Sequence, residues 1–173
     1  MQKIVKILYY DTNKEYEDIW THNDMFIIKP HFDGYIQSNS IDIKYNKLIF
    51  SNYNNFICSI KEYYDDNYDQ GGTFEFNMFN ESVNDLPSQL VQIVFGYCFN
   101  QPVDNLPNKL THLYFDWSFN QPIDNLPNLL THLSLGLKFN HTIENLPNSL
   151  ILLHISKCYK KSFDNLPKSC VLV

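Results

Sequence analysis

The sequence predicts a mainly β protein: a right-handed solenoid of 20-residue repeats that stack into one parallel sheet, behind a β-rich N-terminal cap. The tripeptide Asn-Leu-Pro, written Asp-Leu-Pro in its first copy, recurs every 20 residues without insertion. The apolar positions between the tripeptides recur at the same spacing, which is the signature of stacked repeats. Residues 1–73 lack this period, so we assign them to the cap and residues 74–173 to the solenoid.

Each repeat contributes the same apolar anchors to the stack. The leucine of the tripeptide occupies Leu86, Leu106, Leu126, Leu146 and Leu166. Further apolar columns with the same step begin at Leu90, Ile93, Phe95, Phe99 and Val103. One repeat cannot bury such a set of side chains alone, whereas neighbouring repeats bury it between them. We therefore predict that these columns form one continuous core.

The pattern Leu-x-x-Leu-x-Phe inside a repeat predicts a short strand. Side chains alternate between the faces of a strand, so Leu113, Phe115, Leu133 and Leu135 are expected in the core. The proline after the repeat leucine cannot donate to a β ladder, and the Asn-Gln-Pro segment favours turns. Twenty residues thus hold a strand and its turns, with no room for a return helix.

The first 73 residues contain β-type runs in place of repeats. The runs read KIVKILYY, DMFIIKP, IDIKYNKLIF and NFICSI, with alternation clearest at residues 41–45. We expect a few strands that cover the first turn of the solenoid, together with a short helix from Tyr16 to Trp20.

The repeat units carry a resemblance to a known family. The unit LPNKLTHLYFDWSFNQPIDN resembles the FNIP repeat of the leucine-rich-repeat group, named for Phe-Asn-Ile-Pro. The sequence has FNQP at residues 99–102 and 119–122, and Phe-Asn at 139–140. The resemblance covers residues 79–173 and implies a leucine-rich-repeat-like solenoid that binds proteins. It also points to a source among social amoebae or the giant viruses that infect amoebae.

Many proteins that resemble this one carry an N-terminal F-box, a helical module that docks a ubiquitin-ligase scaffold. Residues 1–73 show strand-like runs and no helical periodicity of that kind. The resemblance therefore implies substrate recognition for ubiquitin-linked turnover only through an F-box partner in trans.

Composition excludes several classes of function. The net charge is −6 and no arginine occurs, which argues against nucleic-acid binding. No apolar run approaches the roughly 18 residues of a membrane-spanning helix. The four cysteines form no Cys-x-x-Cys pair, so we expect reduced thiols in the cytoplasm, or in the host cytoplasm if the protein is viral.

Two clusters have the residue types of a metal site. Asp65, Asn67 and Asp69 match half of a calcium loop, but Gln70 and Phe76 replace its glycine and its glutamate, so we interpret the segment as a solvated acidic loop. Neighbouring repeats place His112 and His132 in register, which we interpret as repeat-encoded surface. We expect no metal, no cofactor and, in the absence of any catalytic motif, no enzyme activity.

The open face of the sheet is the predicted partner-binding surface. Alternation assigns to it Gln92, Val94, His112, Tyr114, Asp116, His132, Ser134, Leu152, His154 and Ser156. Aromatic, imidazole and hydroxyl groups mix on this face, as they do where proteins bind one another.

The alternative function is self-association through an apolar edge formed by Val171, Leu172 and Val173. The columns place Cys170 and Val173 in the core, and an unpaired strand edge there predicts a homodimer through residues 156–173. Two other outcomes stay open. Four nearby lysines could keep the chain monomeric, or Cys170, which begins a formal C-a-a-X motif, could be prenylated and bring the chain to a membrane.

Overall fold

The computed structural model describes residues 19–22, 25–28, 45–52 and 75–173, the first of these ranges by its backbone alone. Eight strands form one sheet in the order of the chain. They are β1 (Ile19–His22), β2 (Met25–Ile28), β3 (Lys47–Phe50), β4 (Gln92–Val94), β5 (His112–Tyr114), β6 (His132–Leu135), β7 (Leu152–Ile155) and β8 (Val171–Leu172). The described part of the chain contains no helix.

The sheet confirms the predicted architecture. Strands β2 to β8 are parallel, and only β1 runs antiparallel, against β2. Two of the aperiodic runs near the N-terminus supply β2 and β3, which continue the repeat sheet, since Leu48 of β3 pairs with Ile93 of β4. The expected helix ending at Trp20 is wrong at that residue, because Trp20 lies in β1 and pairs with Ile27. The runs KIVKILYY and NFICSI lie outside the described residues.

The inward side chains form the continuous core that the columns predict. Leu113, Phe115, Leu133 and Leu135 are all buried, with at most 4% of their surface exposed. Phenylalanine rings stack from one repeat to the next: the ring centroids of Phe99 and Phe119 are 6.2 Å apart and their planes differ by 6°. Stacked repeats therefore bury identical residue types against one another, so a single repeat sequence serves at every level of the core.

Asparagine ladders hold the turns in the same register. The backbone N–H of Asn120 donates to Oδ1 of Asn100 at 2.8 Å, and that of Asn140 donates to Oδ1 of Asn120 at 2.9 Å. On a second ladder, Nδ2 of Asn125 donates to Oδ1 of Asp104 at 2.9 Å. These bonds satisfy polar groups that turns leave unpaired, which makes the repeated asparagines structural.

The last strand corrects the predicted columns. Strand β8 pairs in parallel with β7 as expected, but Leu153 pairs with Leu172 and not with Val173. Cys170 is only half-buried, and Val173 is 62% exposed. Strands β2 to β7 each pack between two neighbours, whereas β8 pairs with β7 alone among the described strands, so its register is less constrained.

Candidate partner-binding surface

Two rows of side chains run across the open face of the sheet, opposite the core. The strand register places them at equivalent positions of successive strands. The first row consists of Met25, Lys47, Gln92, His112, His132 and Leu152. The second consists of Ile27, Ile49, Val94, Tyr114, Ser134 and His154. The second row thus changes from apolar at β2 to polar at β7.

The apolar end of this face is buried and offers a partner little surface. Met25, Ile27, Ile49 and Val94 form a second hydrophobic cluster, and Tyr114 packs against its margin. Val94 lies on the open face in register with Tyr114, but only 5% of its surface is exposed. Alternation indicates on which side of a sheet a residue lies, but it does not indicate whether that side is covered.

A groove of about 420 Å³ opens where the second row becomes polar. It is lined by the small residues Ser134 and Gly136 and, on the strands to either side of β6, by the larger side chains of Tyr114 and His154. A Cβ atom on Gly136 would overlap the backbone carbonyl of Asp116, so close packing of two repeats requires glycine there. Two neighbouring small residues therefore create the depth of the groove.

Several predicted surface residues meet in this groove and others do not. Six predicted residues line it: Val94, Tyr114, Asp116, Ser134, His154 and Ser156. They are joined by Trp117, Gly136 and Leu137, which the alternation argument missed. Gln92, His112, His132 and Leu152 lie on the first row, outside the groove. Trp117 and Leu137 lie in the turn after the strand, where alternation no longer applies, whereas Gly136 occupies the position equivalent to Asp116 and Ser156.

Asp116 is held in place by hydrogen bonds at both of its carboxylate oxygens. Nδ2 of Asn52 donates to Oδ2 at 2.6 Å, and the backbone N–H of Trp117 donates to Oδ1 at 2.6 Å. Asn52 is itself 2% exposed, and its Oδ1 accepts hydrogen bonds from the backbone N–H groups of Asn77 and Tyr97, each at 3.0 Å. A buried amide from the aperiodic N-terminal region thus positions a carboxylate of the repeat region.

An aromatic ladder of Phe76, Tyr97 and Trp117 reaches the groove at Trp117. The ring centroids of Phe76 and Tyr97 are 4.0 Å apart, and those of Tyr97 and Trp117 are 5.7 Å apart. Phe76 is 49% exposed, and Trp117 and Leu137 are each 39% exposed. The 20-residue step from Tyr97 through Trp117 to Leu137 is a signal in the sequence that could have revealed this ladder.

The two register-matched histidines stack on the first row. The rings of His112 and His132 are 4.3 Å apart at 8°, and Nδ1 of each lies 2.9 Å from the hydroxyl of the preceding threonine. Burial, followed by the charges of His132 and Lys47, lowers the pKa of His112. Among the described residues, no three His, Cys, Asp or Glu side chains are grouped closely enough to hold a metal ion.

The three cysteines that the structure describes are free thiols. Cys98, Cys158 and Cys170 form no disulfide, and Cys58 and the acidic segment 65–70 lie outside the described residues. Burial raises the pKa of Cys98, and the charge of Asp116 raises it further. Burial also raises the pKa of Cys170, whose side chain packs against the core.

Within the described part of the chain, no helix is long and apolar enough to cross a membrane.

Comparisons with known proteins agree with the repeat architecture. The family model described as FNIP Repeat matches residues 99–138. The chain is also similar in structure to CroV588, a circular leucine-rich-repeat protein of a giant virus, with a TM-score of 0.59 and 33% sequence identity over 82% of this chain. Residues 99–138 are therefore FNIP repeats in a leucine-rich-repeat-like fold.

The FNIP-repeat chain spans 19% of the length of CroV588, so the circular closure described for that protein is a property of a much longer chain. No curated protein sequence matches this chain. FNIP repeats and leucine-rich-repeat-like solenoids are typically interaction folds and not enzymes. The fold is therefore consistent with a protein-interaction module.

Proposed function

We propose that this FNIP-repeat protein binds a protein partner on the open face of its sheet, at the groove over β6. The observation that carries the proposal is the combination of the groove with the exposed ring of Trp117, which lines it and continues into a ladder of aromatic rings. Tyrosine and tryptophan are enriched in protein interfaces because they contribute a large contact area together with a polar group.

The surroundings of the groove favour a macromolecular partner over a small cofactor. The exposed apolar surface continues from Trp117 and Leu137 in the groove to Phe76 outside it, so a small molecule in the groove would leave Phe76 uncovered. The strands beneath are held by core packing on their other face, which provides a rigid support for binding.

The test is capture of partners from native or infected cells, followed by mass spectrometry. Ser134→Tyr fills the floor of the groove without removing a core contact, and Trp117→Ala removes an exposed ring from its rim. Each variant should reduce capture at least about tenfold, as loss of a central interface residue does. Leu129→Ala is the matched control, because Leu129 is 56% exposed and does not line the groove. Equal capture by all four proteins would contradict the proposal.

The resemblance to FNIP proteins extends the proposal to one cellular role. We propose that the bound protein is a substrate for ubiquitin-linked turnover in the cytoplasm, and that an F-box protein in trans supplies the link to the ligase. Affinity capture should then recover ubiquitin-ligase subunits together with the substrate, and Ser134→Tyr should lose both. Recovery of a partner without any ligase subunit would remove the ubiquitin link and leave the binding function.

The second candidate function is self-association at the last strand. It is favoured by the exposure of Val171, Leu172 and Val173, which expose between 45% and 62% of their surfaces. Light scattering at tens of micromolar should give the mass of two chains, and Leu172→Lys should reduce it to one. A single-chain mass before substitution would eliminate this candidate.

A further inference from the structure

We propose that the groove over β6 receives a lysine or arginine side chain of the protein partner. This inference rests on the proposed function and names the chemistry that the site recognises. It follows from the charge, the shape and the aromatic walls of the groove, each of which is independent of the family resemblance.

The charge of the groove comes from one side chain. Among the described residues that line it, Asp116 is the only aspartate, glutamate or lysine. Its carboxylate is oriented by Asn52 and by the backbone of Trp117. An ionised carboxylate has about four lone-pair sites, and these two donors occupy two of them. Asp116 is therefore a fixed anionic acceptor with capacity for a further donor.

The shape of the groove suits a long side chain with a charged end. Ser134 and Gly136 provide depth, while Tyr114 and Leu137 provide apolar walls. Lysine and arginine bury their methylene groups against such walls and keep the charged end for a polar partner. The rings of Tyr114 and Trp117 beside the carboxylate add the attraction that aromatic rings have for cations.

The net charge of the chain agrees with a basic partner. The chain carries a net charge of −6 and contains no arginine, so an arginine in the groove must come from another protein. Lys138 acts electrostatically on Cys98 but does not line the groove. An acidic partner segment would place like charge opposite Asp116, which opposes binding.

The test is selection of peptides from a displayed library of random 12-residue sequences, with the 173-residue chain immobilised. Peptides selected by the wild type and rejected by Ser134→Tyr should share a lysine or arginine at one position. Replacing that residue by glutamine, or Asp116 by asparagine, should weaken binding at least about tenfold, as expected for a hydrogen bond between charged groups. Asp116→Lys should select peptides with aspartate or glutamate at the same position.

The outcomes separate this inference from the proposed function. Groove-dependent peptides without a basic residue, bound equally by Asp116→Asn, would overturn the inference and support the proposed function. Failure to select any peptide that Ser134→Tyr rejects would overturn both. Asp116→Ser is a second variant without the charge, chosen because Ser156 occupies the equivalent position in the last full repeat. It should weaken binding of the basic peptides as Asp116→Asn does, and unchanged binding by both variants would overturn the inference.

Discussion

Asn52 and Asp116 are 64 residues apart in the chain, and a 2.6 Å hydrogen bond joins their side chains. The bond links the aperiodic N-terminal region to a carboxylate that lines the groove. Because Asn52 also accepts hydrogen bonds from two backbone N–H groups, one buried amide holds together three segments of the chain.

This network predicts a large effect of Asn52→Ala. The substitution leaves the backbone N–H groups of Asn77 and Tyr97 without their acceptor and removes a donor to a carboxylate. We expect a loss of about 2–4 kcal/mol in the free energy of unfolding, measured by urea denaturation. Asn84→Ala is the control, because Asn84 accepts an exposed hydrogen bond of 3.3 Å from Asn105, and its removal should cost less than about 1 kcal/mol. Equal losses for both variants would show that Asn52 does not bridge the segments.

Leu133→Ala should leave a cavity in the repeat core. Leu133 is fully buried between Leu113 and Leu153 on the neighbouring strands, and the predicted cost is about 2–5 kcal/mol in the free energy of unfolding. The same substitution at the exposed Leu129 should cost less than about 1 kcal/mol. A small loss at Leu133 would mean that the column does not pack as described.

Gly136→Ala should be destabilising although it adds one methyl group. The new Cβ would meet the backbone carbonyl of Asp116, which cannot move without shifting β5 against β6. We expect a loss of about 1–3 kcal/mol in calorimetric unfolding. Ser156→Ala, at the equivalent position two strands from Asp116, is the control and should change the melting temperature little. A neutral Gly136→Ala would indicate that the two repeats pack less closely.

The stacked histidines predict a dependence of stability on pH. Folding lowers the pKa of His112 below its ordinary value of about 6.5. Below that pH, this histidine binds a proton more readily in the unfolded chain than in the folded chain. The free energy of unfolding should therefore not depend on His112 above a pH of about 6.5, and it should decrease as the pH falls below that value. His112→Gln removes the titrating group and introduces the residue found at position 92 of the same row. The difference in melting temperature between wild type and variant should change between pH 7 and pH 5, and a constant difference would contradict the assignment.

The repeat region shows how far a sequence can specify a fold. The 20-residue period establishes the parallel sheet, the buried columns and the asparagine ladders, because every repeat contacts a copy of itself and the same residue types meet at each interface. It does not establish the register of β8, since Leu172 and not Val173 pairs with Leu153. Among the described strands β8 pairs with β7 alone, so packing against a second repeat does not constrain its register.

The groove required the tertiary structure. The sequence by itself determined that Tyr114, Ser134 and His154 share the open face, because strand alternation and the repeat period suffice for that. Only the folded chain showed that Val94 is buried, that Asn52 orients Asp116, and that Trp117 and Leu137 complete the rim of the groove. These features depend on contacts with aperiodic segments and on turn geometry, and neither repeats every 20 residues.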